Sequence, residues 1–240
     1  MKQRFENYTP LDASVWRTLF ERQSANLHTK ASVEYVQALQ EMAPVLNSDS
    51  LPHFEHIREW FAAGTAWEIA CVKGLIPVEE FFLLLAEKRF PSSTWLRTME
   101  QLDYLEEPDM FHDIFGHVPL LSNPVFSDFM QAFGALGVLV LDQPERVLQL
   151  QRLYWFTIEF GLIRKEGLKV YGAGIASSFG ETNYALSGTV TLRAFNPEVI
   201  IQTPFYTDRI QNQYFVIQSF EELFDALVFL QKKWTCRAVV

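Results

Sequence analysis

Two of the five histidines in this 240-residue chain, His112 and His117, stand five positions apart in Pro108-Asp109-Met110-Phe111-His112-Asp113-Ile114-Phe115-Gly116-His117-Val118-Pro119. Apolar Met110, Phe111, Ile114, Phe115 and Val118 surround them. Neutral imidazole is a good ligand for zinc, copper, iron and nickel, so a close pair in an apolar setting points to a metal site. On an ideal α-helix five residues turn the chain by about 140°. Both rings therefore reach one ion only near a helix end or a distortion, which Gly116 and Pro119 make available. Either histidine taken alone reads more readily as a satisfied structural side chain.

A third ligand is offered 42 residues after His117, in Leu153-Tyr154-Trp155-Phe156-Thr157-Ile158-Glu159-Phe160-Gly161-Leu162. Glu159 is the single carboxylate of an aromatic, apolar run. Buried there without a partner it would cost several kcal/mol in desolvation, so it needs a cation or a proton. Two histidines and one carboxylate form the facial triad that leaves open positions on non-haem Fe(II). The competing reading puts Glu159 on a wet helix face or pairs it with Arg152 or Arg164.

Upstream, Arg97 lies 15 residues before His112. Its planar fork matches a carboxylate, which suits an amino acid substrate. A surface salt bridge with Glu100 or Asp103 is the plainer alternative. Trp155 and Phe160 flank Glu159 and can wall an aromatic pocket through offset or edge-to-face contact, although core packing is the commoner use of such rings. Tyr171 to Glu181 contains Gly172 and Gly174 but is no dinucleotide fingerprint, because the third glycine and the βαβ setting are missing. Glycines there let backbone approach a ligand closely.

Together these segments resemble the catalytic domain of the pterin-dependent aromatic amino acid hydroxylases, the phenylalanine, tyrosine and tryptophan hydroxylases. The carriers are Glu107-Pro108-Asp109, His112-Asp113-Ile114-Phe115-Gly116-His117-Val118-Pro119-Leu120, Tyr154 through Leu162, and Tyr171-Gly172-Ala173-Gly174-Ile175-Ala176-Ser177-Ser178-Phe179-Gly180-Glu181. The likeness runs from about Trp16 to Phe224. It implies a single iron held by His112, His117 and Glu159. It also implies a substrate carboxylate on Arg97, with Asp109 holding that arginine, and a substrate pocket including Trp155, Phe160, Gly174 and Ser177. A tryptophan at position 155 is similar to the phenylalanine and tyrosine enzymes and leans the substrate toward phenylalanine.

Gly74-Leu75-Ile76-Pro77-Val78-Glu79-Glu80-Phe81 resembles the pterin loop of the family, with Phe81 stacking on the heterocycle. Val78 replaces the commoner serine, so a hydroxyl contact is lost while backbone contacts from Gly74, Leu75 and Ile76 survive. Asp113 stands where the animal enzymes have glutamate, keeping a carboxylate near the pterin through water. The resemblance thus implies an Fe(II)- and tetrahydropterin-dependent monooxygenase that uses O₂ to convert free phenylalanine to tyrosine. Tryptophan, tyrosine or meta-hydroxylation of phenylalanine are the alternatives within the same chemistry. A zinc hydrolase is weaker, since there is no H-E-x-x-H helix and no separate general base. A silent binding protein is disfavoured by the intact ligands, Arg97 and the pterin loop.

The elements that must position these residues read as mainly helical. The chain is long enough for one large domain with a substantial core. With 49% hydrophobic residues and 21 Phe, 8 Tyr and 6 Trp, that core is aromatic. The net charge of −9 argues against nucleic acid. Cys71 and Cys236 form no CxxC pair. No signal peptide is evident in residues 1–10, and no apolar run approaches the ~20 residues of a membrane span. A cytoplasmic protein follows as the expectation.

Apolar spacing predicts helices after Asp12, after Thr29 or Ser32, over 54–63 and 78–89 (stopped by Pro91), from Asn123-Pro124 to Val140, and from Pro144 to Phe160. Short strands are expected at 168–171 and 213–217, with a last helix over 220–232 capped by Ser219. His112 and His117 should flank a helix end, with Glu159 late in a separate helix. The fold class is mainly α with a few short antiparallel strands (α+β). One catalytic domain is expected over 1–240, as monomer or dimer, with no regulatory domain and no long tetramerisation helix.

Overall fold

The computed structural model describes residues 1–103, 105 and 107–236, with side chains through Trp234; the Cys236 thiol lies outside the described residues. The chain opens on α1 (Pro10–Leu27), and its entry is held by a reciprocal pair of hydrogen bonds. Thr9 N donates to Asp12 Oδ2 at 2.7 Å while Asp12 N donates to Thr9 Oγ1 at 3.3 Å. Asp12 is therefore the third residue of a capping box, and Thr9 is the cap. Ser32 caps α2 (Val33–Glu41) by accepting from Tyr35 N. Next come α3 (Phe54–Ala62), β1 (Glu68–Cys71), α4 (Val78–Ala86) and β2 (Arg89–Ser92).

Helix α4 ends at Ala86, earlier than its apolar run suggested. Lys88 takes a left-handed turn (φ 55°) and the chain re-enters as β2 with Pro91 inside it. Proline is tolerated there because the two-stranded β1–β2 sheet leaves β2 an outer edge that needs no donor.

The second half contains α5 (Pro124–Leu139), α6 (Pro144–Tyr154), β3 (Leu162–Lys165), β4 (Gly167–Val170), α7 (Ala173–Ala176), α8 (Phe179–Ala185), β5 (Thr191–Ala194), α9 (Pro197–Ile200), β6 (Gln213–Ile217) and α10 (Glu221–Cys236). Asn123 caps α5 through its side chain, and Pro124 fills the first helical position. The four-stranded sheet runs β4-β3-β6-β5. The α+β class holds, but the sense of pairing differs from expectation. Among the described residues only β3–β4 is antiparallel, closed by a tight turn at Gly167 (φ 95°). The β1–β2, β3–β6 and β5–β6 pairs are parallel. Each of these is joined through a helix-bearing crossover, which is what a parallel pair requires.

The core is aromatic throughout. Trp16, Tyr35, Phe61, Trp67, Phe111, Phe115, Phe129 and Phe133 are buried to within 2% of full exclusion. Helices α4 and α5 pack closely because Gly134 presents no side chain: a Cβ there would lie 2.6 Å from Leu85 Cβ. At the other end, Ser32 N donates to Val170 O at 2.7 Å and Ala31 bridges Val170, tying the start of α2 to β4. From β4 the chain runs straight into α7, which carries the glycine- and serine-rich motif.

Candidate metal centre and substrate pocket

The two histidines do not flank a helix end; both sit on one π-helical turn, His112–His117. A π-turn closes i→i+5 hydrogen bonds, so residues five apart lie one above the other, as they do not on an α-helix. Glu159 ends a second π-helical segment, Trp155–Glu159, that continues α6. Its closing bond, Phe160 N to Trp155 O at 2.9 Å, spans the same five residues. Helix α7 packs against both π-turns. Gly116 and Gly172 permit this, since a Cβ on Gly116 would meet Ala173 O at 2.9 Å and one on Gly172 would meet Glu159 O at 2.5 Å.

These turns bring three ligand atoms together. Nε2 of His117 lies 3.2 Å from Nε2 of His112 and 3.1 Å from Glu159 Oε1, and His112 Nε2 lies 3.6 Å from Glu159 Oε2. Donors bound at right angles to one ion at about 2.1 Å stand about 3 Å apart, so the spacing fits a shared metal. Neither alternative for Glu159 holds. Arg152 donates to Ile201 O at 2.8 Å, and Arg164 is exposed on β3.

The electrostatics agree with that fit. Burial pushes the His112 pKa down to about 4, against the pull of Glu159, so the ring stays neutral. Burial raises Glu159, but the adjacent His117 and His112 draw it down to about 2. Hydrogen-bond bookkeeping fixes the tautomer of His112. The Ser177 hydroxyl donates to Ala173 O at 2.8 Å, so it accepts from His112 Nδ1 at 2.9 Å. The Nε2 lone pair then faces the centre, where it and a carboxylate repel one another unless a cation lies between them.

Arg97 and Asp109 form the next layer. Asp109 is fully buried and takes Arg97 Nε at 2.9 Å, Arg97 Nη2 at 2.8 Å and Arg97 N at 3.0 Å. The same carboxylate accepts from His112 N at 3.0 Å, joining the arginine to the first ligand. Burial pushes Asp109 up, yet the Arg97 guanidinium overrides it and leaves the carboxyl below its usual range. The surface pairing considered for Arg97 is absent: Asp103 pairs with Arg22.

Trp155 and Phe160 meet at 4.7 Å between centroids, next to Glu159. Gly174 faces them; a Cβ there would lie 3.0 Å from Phe160 Cζ and 3.2 Å from Glu159 Oε2. Three further partners surround this pair: the sequence marks Phe205-Tyr206-Thr207 as a pocket region bearing on substrate choice, whereas Gln211 was not foreseen. Phe205 stacks on Trp155 at 4.9 Å, Gln211 Oε1 accepts from Trp155 Nε1 at 3.1 Å, and Gln211 Nε2 donates back to Tyr206 O at 3.0 Å. They come from a loop with no periodicity, so Phe205 and Tyr206 could not be aligned to a family position and Gln211 carried no signal.

Of the residues expected to form a pterin loop, Phe81 reaches toward the centre through ring contacts. Gly74 and Ile76 are half-buried, Leu75 is exposed, and Val78 opens α4. Phe81 on α4 meets Tyr154 edge-on at 5.2 Å, and Tyr154 stacks on His117 at 6.3 Å. Tyr154 was missed as a site residue, although its five-residue spacing from Glu159 is the π-turn spacing. Asp113 accepts from Ser93 N at 2.8 Å, and burial lifts its carboxyl to about 7.

In sequence and fold the chain is similar to known proteins. The model of the biopterin-dependent aromatic amino acid hydroxylase family matches residues 4–235. Phenylalanine-4-hydroxylase of Ralstonia nicotianae is 48% identical over 228 residues, covering 94% of this chain and 72% of that one. The crystal structure of Chromobacterium violaceum phenylalanine hydroxylase with iron(III) and 7,8-dihydrobiopterin superposes with a TM-score of 0.90 at 43% identity, over 96% of this chain and 85% of that one. The iron- and phenylalanine-bound form of the same enzyme gives 0.88 at 42% identity, over 94% and 82%.

Proposed function

The chain belongs to the biopterin-dependent aromatic amino acid hydroxylases, and from that premise we propose that it is an Fe(II)- and tetrahydropterin-dependent phenylalanine 4-monooxygenase, converting free L-phenylalanine to L-tyrosine with O₂. The observation that carries this is the convergence of His112, His117 and Glu159 donor atoms within 4.8 Å of one another. When bound, iron and reduced pterin supply the activation of O₂ and the transfer of one oxygen atom to the ring.

The protein's own part is binding, orientation and exclusion of water. His112 and His117 hold the metal as neutral ligands, and Glu159 supplies the single negative charge. On one side, the Arg97 guanidinium, fixed by Asp109, takes the substrate carboxylate. The wall of Trp155 and Phe160, opposite Gly174, receives the benzene ring. Gly74, Leu75, Ile76 and Val78 present the pterin edge while Phe81 stacks on it, and Asp113 contacts it through water. Arg97 and the histidines lie on segments joined by Asp109, so substrate and metal are positioned by one buried carboxylate.

One domain, a monomer or dimer, a cytoplasmic setting and the absence of nucleic-acid or membrane partners belong to the same proposal. The net charge of −9 supports the exclusion of nucleic acid. Among the described residues, no helix is long and apolar enough to cross a membrane.

The test begins with metal-free protein. Loading Fe(II) anaerobically, then adding tetrahydropterin, phenylalanine and air, should yield tyrosine, with none when either iron or pterin is omitted. Tyrosine formed with zinc in place of iron, or without pterin, contradicts the assignment.

A further inference from the structure

We infer that Tyr35 is a positioning residue of the metal centre: its hydroxyl holds the His112–His117 turn in π register, and so keeps the two imidazoles on one face. This rests on the proposed metal site. Position 119 is a proline, and it stands where an α-helix would need an N–H to satisfy the carbonyl of Phe115. That carbonyl is instead taken by Tyr35 Oη at 2.5 Å, donated from α2 across 80 residues of sequence. A buried carbonyl without a donor is strongly disfavoured, so the hydroxyl removes the penalty that would otherwise push the turn to unwind.

Tyr35 is built to do this. It is fully buried, and burial pushes its phenol far above the ordinary range, so it remains a donor. It sits in the first turn of α2, its own N–H capped by Ser32 Oγ at 3.2 Å. Ser32 N in turn donates to Val170 O, on the strand that leads into α7, whose C-terminal cap is Ser177. One rigid helix start thus braces the backbone under both histidines and the segment that orients His112. The Tyr35 ring also meets the Phe115 ring at 6.2 Å, but that contact survives loss of the hydroxyl. Ring packing and hydroxyl donation can therefore be separated.

The test uses Co(II) as a probe of the centre in the full chain, read by its visible absorption and by titration. For Tyr35→Phe the Co(II) Kd should rise about tenfold, at the low end of losses for groups that support ligands from outside. The absorption bands should shift because the two imidazoles no longer meet the ion at the same angle. Adding Pro119→Ala to Tyr35→Phe gives the Phe115 carbonyl an α-helical donor. Thermal stability should recover, while Co(II) affinity stays weak because the new bond closes an α-turn. A Tyr35→Phe Kd within twofold of the parent with an unchanged spectrum overturns the inference, as does a double variant that regains full affinity. Should Tyr35→Phe fail to fold, the double variant alone decides between these results. If the parent itself bound no Co(II), the metal-site reading would fail instead.

Discussion

His112 donates its Nδ1 proton to Ser177, whose own proton is committed to Ala173 O. The serine therefore works as an acceptor that selects the Nε2-ligating tautomer. Replacing Ser177 with alanine should weaken Fe(II) binding by roughly 10–100-fold. Calorimetric titration of metal-free protein measures this; an affinity unchanged from the parent would remove Ser177 from the centre.

Asp109 is the buried carboxylate that ties Arg97 to the backbone of His112. Its folded pKa lies below the ordinary 3.8, so its contribution to stability is present above that value and is lost as pH falls through the folded pKa. Asp109→Asn leaves Arg97 buried without its charge partner, which should cost about 3–5 kcal/mol at pH 7. The gap between variant and parent should narrow below about pH 4. Urea unfolding across pH 3–7 tests it, and a pH-independent gap would show that the pair contributes no charge interaction.

Asp113 behaves in the opposite sense. Burial raises its folded pKa to about 7, so the stability it confers is full below the unfolded carboxylate value and is lost as pH rises through 7. In metal-free protein, Asp113→Asn should therefore gain stability over the parent, with the difference growing from about pH 4 to about pH 7 and levelling beyond. Melting temperatures at pH 5 and 8 are enough to see it. A difference that shrank with rising pH would contradict the assigned shift.

Gly174 is tight against both the aromatic wall and a ligand oxygen. Gly174→Ala must displace Phe160 or Glu159, and kcat/KM for phenylalanine should fall by about 10–100-fold. Wild-type kinetics in this variant would mean the pocket does not use that face of α7.

Much of the site was legible because its chemistry is carried by rare residue types in apolar surroundings. His112, His117 and Glu159 stood out as polar groups in runs that otherwise pack a core, and Arg97 as a fork suited to carboxylate. What the sequence hid was local geometry. Spacing by five looked wrong for an α-helix, and only the π-turns reconcile it. For the His112–His117 turn the inferred brace is Tyr35, 80 residues from Phe115, which no local pattern reveals. The helix expected over 78–89 overran into Arg89, the first residue of β2, because Phe81 through Leu85 are apolar without a break, and the strand itself went unmarked. Gln211 and Phe205 belong to an irregular loop, where periodicity carries no information.

The most direct measurement is turnover of phenylalanine by the iron-loaded protein with tetrahydropterin under ¹⁸O₂, with product mass and ring position determined. The account predicts tyrosine hydroxylated at the para position and carrying a single ¹⁸O atom. Unlabelled tyrosine, a meta-hydroxylated ring, or no ring product from iron-bound protein would contradict it.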